Sequence, residues 1–174
     1  VETGDTKIIR LCEKAARQIE AQMQDAIAQG QLSKRAAFDR QYKQIPNTNP
    51  VQYFTEYVDW TDAHWQPIFE KVQQADPRIV FGAAVDVNGY LPTHNVIYSK
   101  PPTDDAEWNA ANCRNRRIFN DRTGLSAGQN TKPFLVQTYR RDMGNGEFVL
   151  MKDASVPIYI EGQHWGGLRI GYKV

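Results

Sequence analysis

Sulfur and imidazole are scarce in this chain: its 174 residues hold two cysteines, three methionines and three histidines. Neither Cys12 nor Cys113 stands in a CxxC or CxxCH context, and His64, His94 and His164 lack short metal-ligand spacing. Zinc sites, thioredoxin-like chemistry and covalent c-type haem therefore have no support. The two thiols read as small buried hydrophobes, or as a disulfide if the domain is exported. Net charge is lacking as well. Lys plus Arg number 21 against 20 for Asp plus Glu, which leaves no basic field for a polyphosphate backbone and excludes nucleic acid as the expected partner. No apolar run reaches the roughly 18 residues of a membrane span, and no charged-then-apolar leader opens the chain. The templates GxSxG, P-loop, HExxH and dinucleotide GxGxxG are also absent, so the chain is not read as an enzyme.

What is present describes one globular domain. Hydrophobic residues make up 41% and charged residues 24%, and a chain of this size can bury about 70% of its unfolded surface. Ile8, Cys12, Ala15, Ile19, Met23 and Ile27 recur at spacings of three and four, which predicts one long amphipathic helix. Asp5 or Thr6 would cap it and Gly30 would end it, giving about 24 residues and roughly 36 Å. Ser33 to about Tyr42 and Asp59 to Gln74 read as further helices, separated by a breaker cluster around Pro46 and Pro50.

After Pro77 the pattern changes to strands. The apolar run 79–85 meets Asn88-Gly89, a type I′ hairpin signal, and should return as a second strand over 90–95. A helical interlude over 104–119 and a glycine-bearing loop over 122–131 follow. Three more strands are expected at 134–141, 147–160 and 165–172. Helices first, then five strands joined mostly by hairpins, predict an α+β fold with an antiparallel sheet. Residues 1–75 would form a helical part packed on a sheet formed by residues 76–174.

The strongest local feature is a cluster of arginines. Arg114, Arg116, Arg117 and Arg122 fall within nine residues of an otherwise neutral chain. On a helix, Arg114 and Arg117 would share a face near Trp108, and guanidinium groups recognise carboxylates with planar, bidentate geometry. Tyr139 and Arg140 add a polar cluster at a strand end, where alternation sends Thr138 and Arg140 to one face and Tyr139 and Arg141 to the other. Asp153 sits mid-strand, where a charge must be paired or reach solvent, and a buried Asp153 could hold an amine. Trp60, Trp65, Phe69 and Phe81 are read as core rather than as ligand-stacking residues.

Four segments carry a resemblance. They are Val85 to Asn95 (VDVNGYLPTHN), Trp108 to Arg122, Gln137 to Gly144 (QTYRRDMG) and Gly162 to Tyr172 (GQHWGGLRIGY). Together they resemble the periplasmic sensor domain of bacterial methyl-accepting chemotaxis proteins. The resemblance implies a single Cache, PAS-like module: a long N-terminal helix and a five-stranded antiparallel sheet with a helical crossover and a small-molecule pocket on one face. It implies a periplasmic domain of an inner-membrane receptor, with membrane helices flanking the segment given, and a homodimer that packs the long helix against its twin. The expected ligand is a small organic acid, with Tyr90, His94, Trp108, Arg114, Arg117, Tyr139, Arg140 and Asp153 as candidate lining. No cofactor is expected. The alternative is a haem-binding or redox-sensing domain of the same receptor type, with non-covalent haem held through His94, His164 or Met143.

Overall fold

The computed structural model describes residues 2–174. The first helix, α1 (Thr6–Ala28), buries Ile8, Cys12, Ala15, Ile19 and Met23 on one stripe. Its C-terminus closes in a Schellman motif: the Gln31 N–H donates to the Ala26 carbonyl and the Gly30 N–H to that of Ile27, with Gly30 at φ 75°. Asp5 occupies the N-cap position without capping, because its carboxylate instead accepts from the Tyr172 hydroxyl at 2.8 Å and from Lys152 Nζ at 3.2 Å.

The next helix, α2 (Lys34–Ala37), is a single turn capped by Ser33, whose hydroxyl accepts from the Ala36 N–H at 3.0 Å. A small ribbon pairs β1 (Lys43–Gln44) with β2 (Tyr53–Phe54). The helix expected over 59–74 is two helices, α3 (Val58–His64) and α4 (Gln66–Gln74), parted at Trp65. Pro67 sits in the first turn of α4, where its missing N–H is tolerated, and so starts a new helix there.

The principal sheet has four strands and not five. Its strands β3 (Ile79–Asp86), β6 (Leu135–Gly144), β7 (Glu147–Ile160) and β8 (Gln163–Lys173) run antiparallel in the order β3-β8-β7-β6. The expected fifth strand stops after two residues. This piece, β4 (Tyr90–Leu91), pairs with β5 (Arg117–Ile118) in a separate ribbon. The free edge of β3 is met by side chains instead: the Gly82 N–H donates to Asn95 Oδ1 at 3.0 Å, and Gln73 Nε2 donates to the Val80 carbonyl at 2.8 Å. The two turns with positive φ at both central residues are Asn145-Gly146, between β6 and β7, and Glu161-Gly162, between β7 and β8. At the expected type I′ site only Gly89 has positive φ, and Asp86 holds that turn by accepting the Asn88 and Tyr90 N–H groups.

The helical interlude is shorter than expected. It consists of α5 (Ala106–Asn112), capped by Asp105, and the chain then runs into β5. The expected loop over 122–131 is instead a helix, α6 (Arg122–Gln129), whose buried face is Thr123, Gly124, Ala127 and Gly128. Its glycines mark close packing rather than a loop: a Cβ on Gly124 would stand 2.3 Å from the Phe119 carbonyl oxygen, and one on Gly128 would stand 2.3 Å from that of Asp86.

Alternation along the strands separates two faces. Ala154, Val156, Leu168 and Ile170 meet the stripe of α1 in the main core. Phe81, Ala83, Val85, Asp153, Tyr139, Arg141 and Arg169 lie on the other face. The apolar stripe of α1 is covered by the chain's own sheet, so a second copy would have to use the remaining face of α1. No helix among the described residues is long and apolar enough to cross a membrane.

Gly128→Ala sets helix propensity, which favours alanine by about 1 kcal/mol, against a clash with backbone that overpacking data place at about 1–3 kcal/mol. The contact is with a carbonyl that cannot rotate away, so the clash should win and the urea midpoint should fall. A raised midpoint would show that α6 shifts freely.

Candidate functional site

On the face opposite α1, the sheet and the 110–121 segment line a half-open cavity of about 300 Å³. Phe81, Leu91, His94, Arg114, Arg117, Phe119, Tyr139, Arg141 and Arg169 are among its lining residues. Local structure aims each of these. The Arg114 N–H donates to the Tyr98 carbonyl at 2.7 Å and the Phe119 N–H to that of Gly89 at 2.7 Å, which clamps the 114–119 segment between β4 and the 3₁₀ turn Val96–Tyr98. Arg116 has a left-handed backbone, φ 62°, and turns outward to bridge Asp62 at 2.8 Å. Its neighbours Arg114 and Arg117 turn inward.

The four inward guanidiniums are held as two pairs. Arg114 and Arg117 lie 5.2 and 4.7 Å from the ring centre of Phe119, and both donate to the Ala110 carbonyl, at 2.9 and 3.1 Å. Arg141 and Arg169 lie 5.0 and 5.6 Å from the ring centre of Phe81, with Arg141 also 4.7 Å from that of Tyr98. Cation–π contact offsets part of the cost of removing these charges from water. Arg169 Nε donates to Asp153 Oδ2 at 2.9 Å in a fully covered ion pair. Arg141 is 3% exposed, and its Nε and Nη1 have no hydrogen-bond partner among the described residues.

Electrostatics follow from burial. His94 is held well below its ordinary pKa by burial, and next by Arg141, Arg114 and Arg169. Its Nδ1 accepts the Asn95 N–H at 2.7 Å, so the neutral ring carries its proton on Nε2. Burial, with Arg141 and Arg117 beside it, brings Arg114 down to about 9, still charged at neutral pH. Burial also lowers Arg117. Asp153 is pushed up to about 6 by burial, against the opposing pull of Arg169. For Arg169 burial opposes the charge, but the Asp153 carboxylate outweighs it and the pKa rises.

Of the expected site residues, His94, Arg114, Arg117 and Tyr139 meet at the cavity. Arg140 borders it, but its guanidinium lies over the Phe148 ring at 4.8 Å. Asp153 lies beneath the cavity, and the amine it holds is the chain's own Arg169. Tyr90 and Trp108 lie elsewhere: Tyr90 is buried and donates to the Tyr53 carbonyl at 2.7 Å, and Trp108 is exposed with Lys100 near its ring. Arg114 and Arg117 come together without sharing a helix, since both follow α5. Arg141, Arg169, Phe81 and Phe119 were not among the expected lining. A lone arginine within the apolar run 165–172, facing a lone aspartate in the strand before it, was the available signal. Of His94, His164 and Met143, only His94 lines the cavity. Cys12 and Cys113 are both free thiols, each buried, and no group of three metal-ligating side chains occurs among the described residues.

Comparison with family models and with curated proteins gave no match.

Asp153 and His94 bend stability against pH in opposite directions. The folded state holds the Asp153 proton where the unfolded chain has released it, so that contribution is full below about 3.8 and is lost as pH rises through about 6. The depressed His94 removes stability as pH drops below about 6.5, because only the unfolded imidazole then takes up a proton. Subtracting the urea-midpoint curve of Asp153→Asn from that of the parent isolates the first effect. The difference should decline from about pH 4 to pH 7. A flat difference would mean that Asp153 is ionised throughout that range.

Proposed function

We propose that this chain is the ligand-binding sensory domain of a transmembrane chemoreceptor, a Cache-like periplasmic module that takes a small organic acid in the arginine-lined cavity. The observation that carries the reading is the state of Arg141, a buried guanidinium near the rings of Phe81 and Tyr98 with two of its donors unsatisfied among the described residues. Buried donors without partners are expensive, and an anionic ligand supplies charge-assisted bonds to them. The resemblance supports the receptor type from an independent direction. Every lining residue except Phe81 comes from the four segments that carry it: Leu91 and His94 from the first, Ala110 to Asp121 from the second, Tyr139 to Asp142 from the third and Arg169 from the fourth. In this reading occupancy is converted into displacement of α1, a population shift driven by differential affinity, within a homodimer that uses the uncovered face of that helix.

Titration calorimetry of the 174-residue chain with a panel of small carboxylates tests the proposal. At least one should bind, and Arg141→Ala should weaken it about 10- to 100-fold, the equivalent of charge-assisted hydrogen bonds worth about 1.5–3 kcal/mol. Silence for every carboxylate, or unchanged affinity in Arg141→Ala, would remove the reading.

A further inference from the structure

We infer that the cavity takes a small dicarboxylate rather than a monocarboxylate, one carboxylate meeting Arg141 and Arg169 and the other meeting Arg114 and Arg117. The inference rests on the anion-binding reading above and extends it to the number and spacing of the charges. Two guanidinium pairs stand on two separate aromatic platforms, Phe81 for Arg141 and Arg169 and Phe119 for Arg114 and Arg117. A single carboxylate has two oxygens and satisfies one such pair bidentately. It would leave the other pair unmatched, with Arg114 lowered by burial first and then by the charges of Arg141 and Arg117 beside it.

The internal counter-charge is too small to remove that repulsion. Among the described residues, no carboxylate forms a salt bridge with Arg114, Arg117 or Arg141, and Arg169 alone has one, through Nε to Asp153. Asp121 and Asp142 lie on the rim, and Asp142 is close enough to favour the charge of Arg117. His94 is neutral and adds a donor without adding charge. A net excess of positive charge therefore faces a space of about 300 Å³, the lower end of the range for small-molecule pockets. That space suits a few carbon atoms between two acid groups and does not suit a large polyanion.

The experiment compares butyrate and succinate, equal in length and different in charge, with a longer diacid and a compact anion, on the 174-residue chain near neutral pH and at fixed ionic strength. Butyrate, succinate, glutarate and inorganic phosphate are each titrated calorimetrically. Succinate or glutarate should bind about 100-fold more tightly than butyrate. In the double variant Arg114→Gln/Arg117→Gln, with folding checked by circular dichroism, that ratio should fall below about 10. Butyrate binding as well as succinate, phosphate binding more tightly than either diacid, or a ratio unchanged in a folded double variant would each overturn the two-carboxylate inference while leaving the small-anion site in place. If no carboxylate binds the parent chain, the functional reading fails and this inference fails with it. The ligand panel decides the matter even if the double variant does not fold.

Discussion

Four guanidinium groups around one small cavity repel one another and lose most of their hydration, and much of this fold is arranged to tolerate that. Stripping a charged group of water costs several kcal/mol unless partners replace the water. Here the partners are incomplete. One carboxylate, Asp153, is buried against Arg169, and Asp121 and Asp142 favour the charges of Arg169 and Arg117 from the cavity lining. The Ala110 carbonyl accepts from Arg114 and Arg117, and aromatic faces meet the guanidiniums. The imidazole among them stays neutral, since a protonated His94 would add a fifth positive charge at the same place. Among the described residues an excess of positive charge therefore remains at the cavity, which an anion would offset in the proposed reading. For that reason Arg141, which among the described residues has no salt-bridge carboxylate and two unsatisfied donors, bears more on the proposed function than the more numerous paired charges on the surface.

The platforms under the two arginine pairs depend on small residues. Phe81 lies flat on β8 because its register partner is Gly171, where a Cβ would stand 2.1 Å from the Phe81 ring. Phe119 is held through its backbone: its N–H donates to the Gly89 carbonyl, and its own carbonyl sits where a Cβ on Gly89 or on Gly124 would stand at 2.3 Å. Each ring that bears two guanidiniums is thus seated by glycine. Replacing one of those glycines would move a charge pair as well as a helix or strand.

Much of the scaffold was legible in the sequence because it follows from periodicity. The stripe Ile8, Cys12, Ala15, Ile19 and Met23 is the buried side of α1, and the 147–160 strand has the expected bounds. What was not legible depended on contacts distant in sequence. Gly124 and Gly128 resemble loop residues until the carbonyls of Phe119 and Asp86 are seen above them. The return strand after Gly89 ends at Leu91, because the edge of β3 is occupied by the side chains of Asn95 and Gln73. The site was half legible for the same reason. Composition exposed the arginines of the 114–122 segment, and alternation put Tyr139 and Arg141 on one face. Arg169 needed the pairing of β7 with β8, which sets it two residues diagonally from Asp153.

That pairing also gives the cavity a route to the long helix. On β8, Arg169 points to the cavity while its immediate neighbours Leu168 and Ile170 pack in the α1 core, and on β7 Asp153 and Ala154 divide in the same way. Cys12 of α1 donates to the Leu168 carbonyl at 3.3 Å, so helix and strand are joined one residue from the charge. At the helix start, Asp5 ties α1 to Tyr172 of β8 and Lys152 of β7. A close-packed interior transmits such displacements rather than absorbing them. In the proposed receptor reading, a ligand that drew Arg169 toward the cavity would act on the same two strands that seat α1, and the residue spacing of a β-strand, rather than a hinge or a loop, would set the distance between recognition and response.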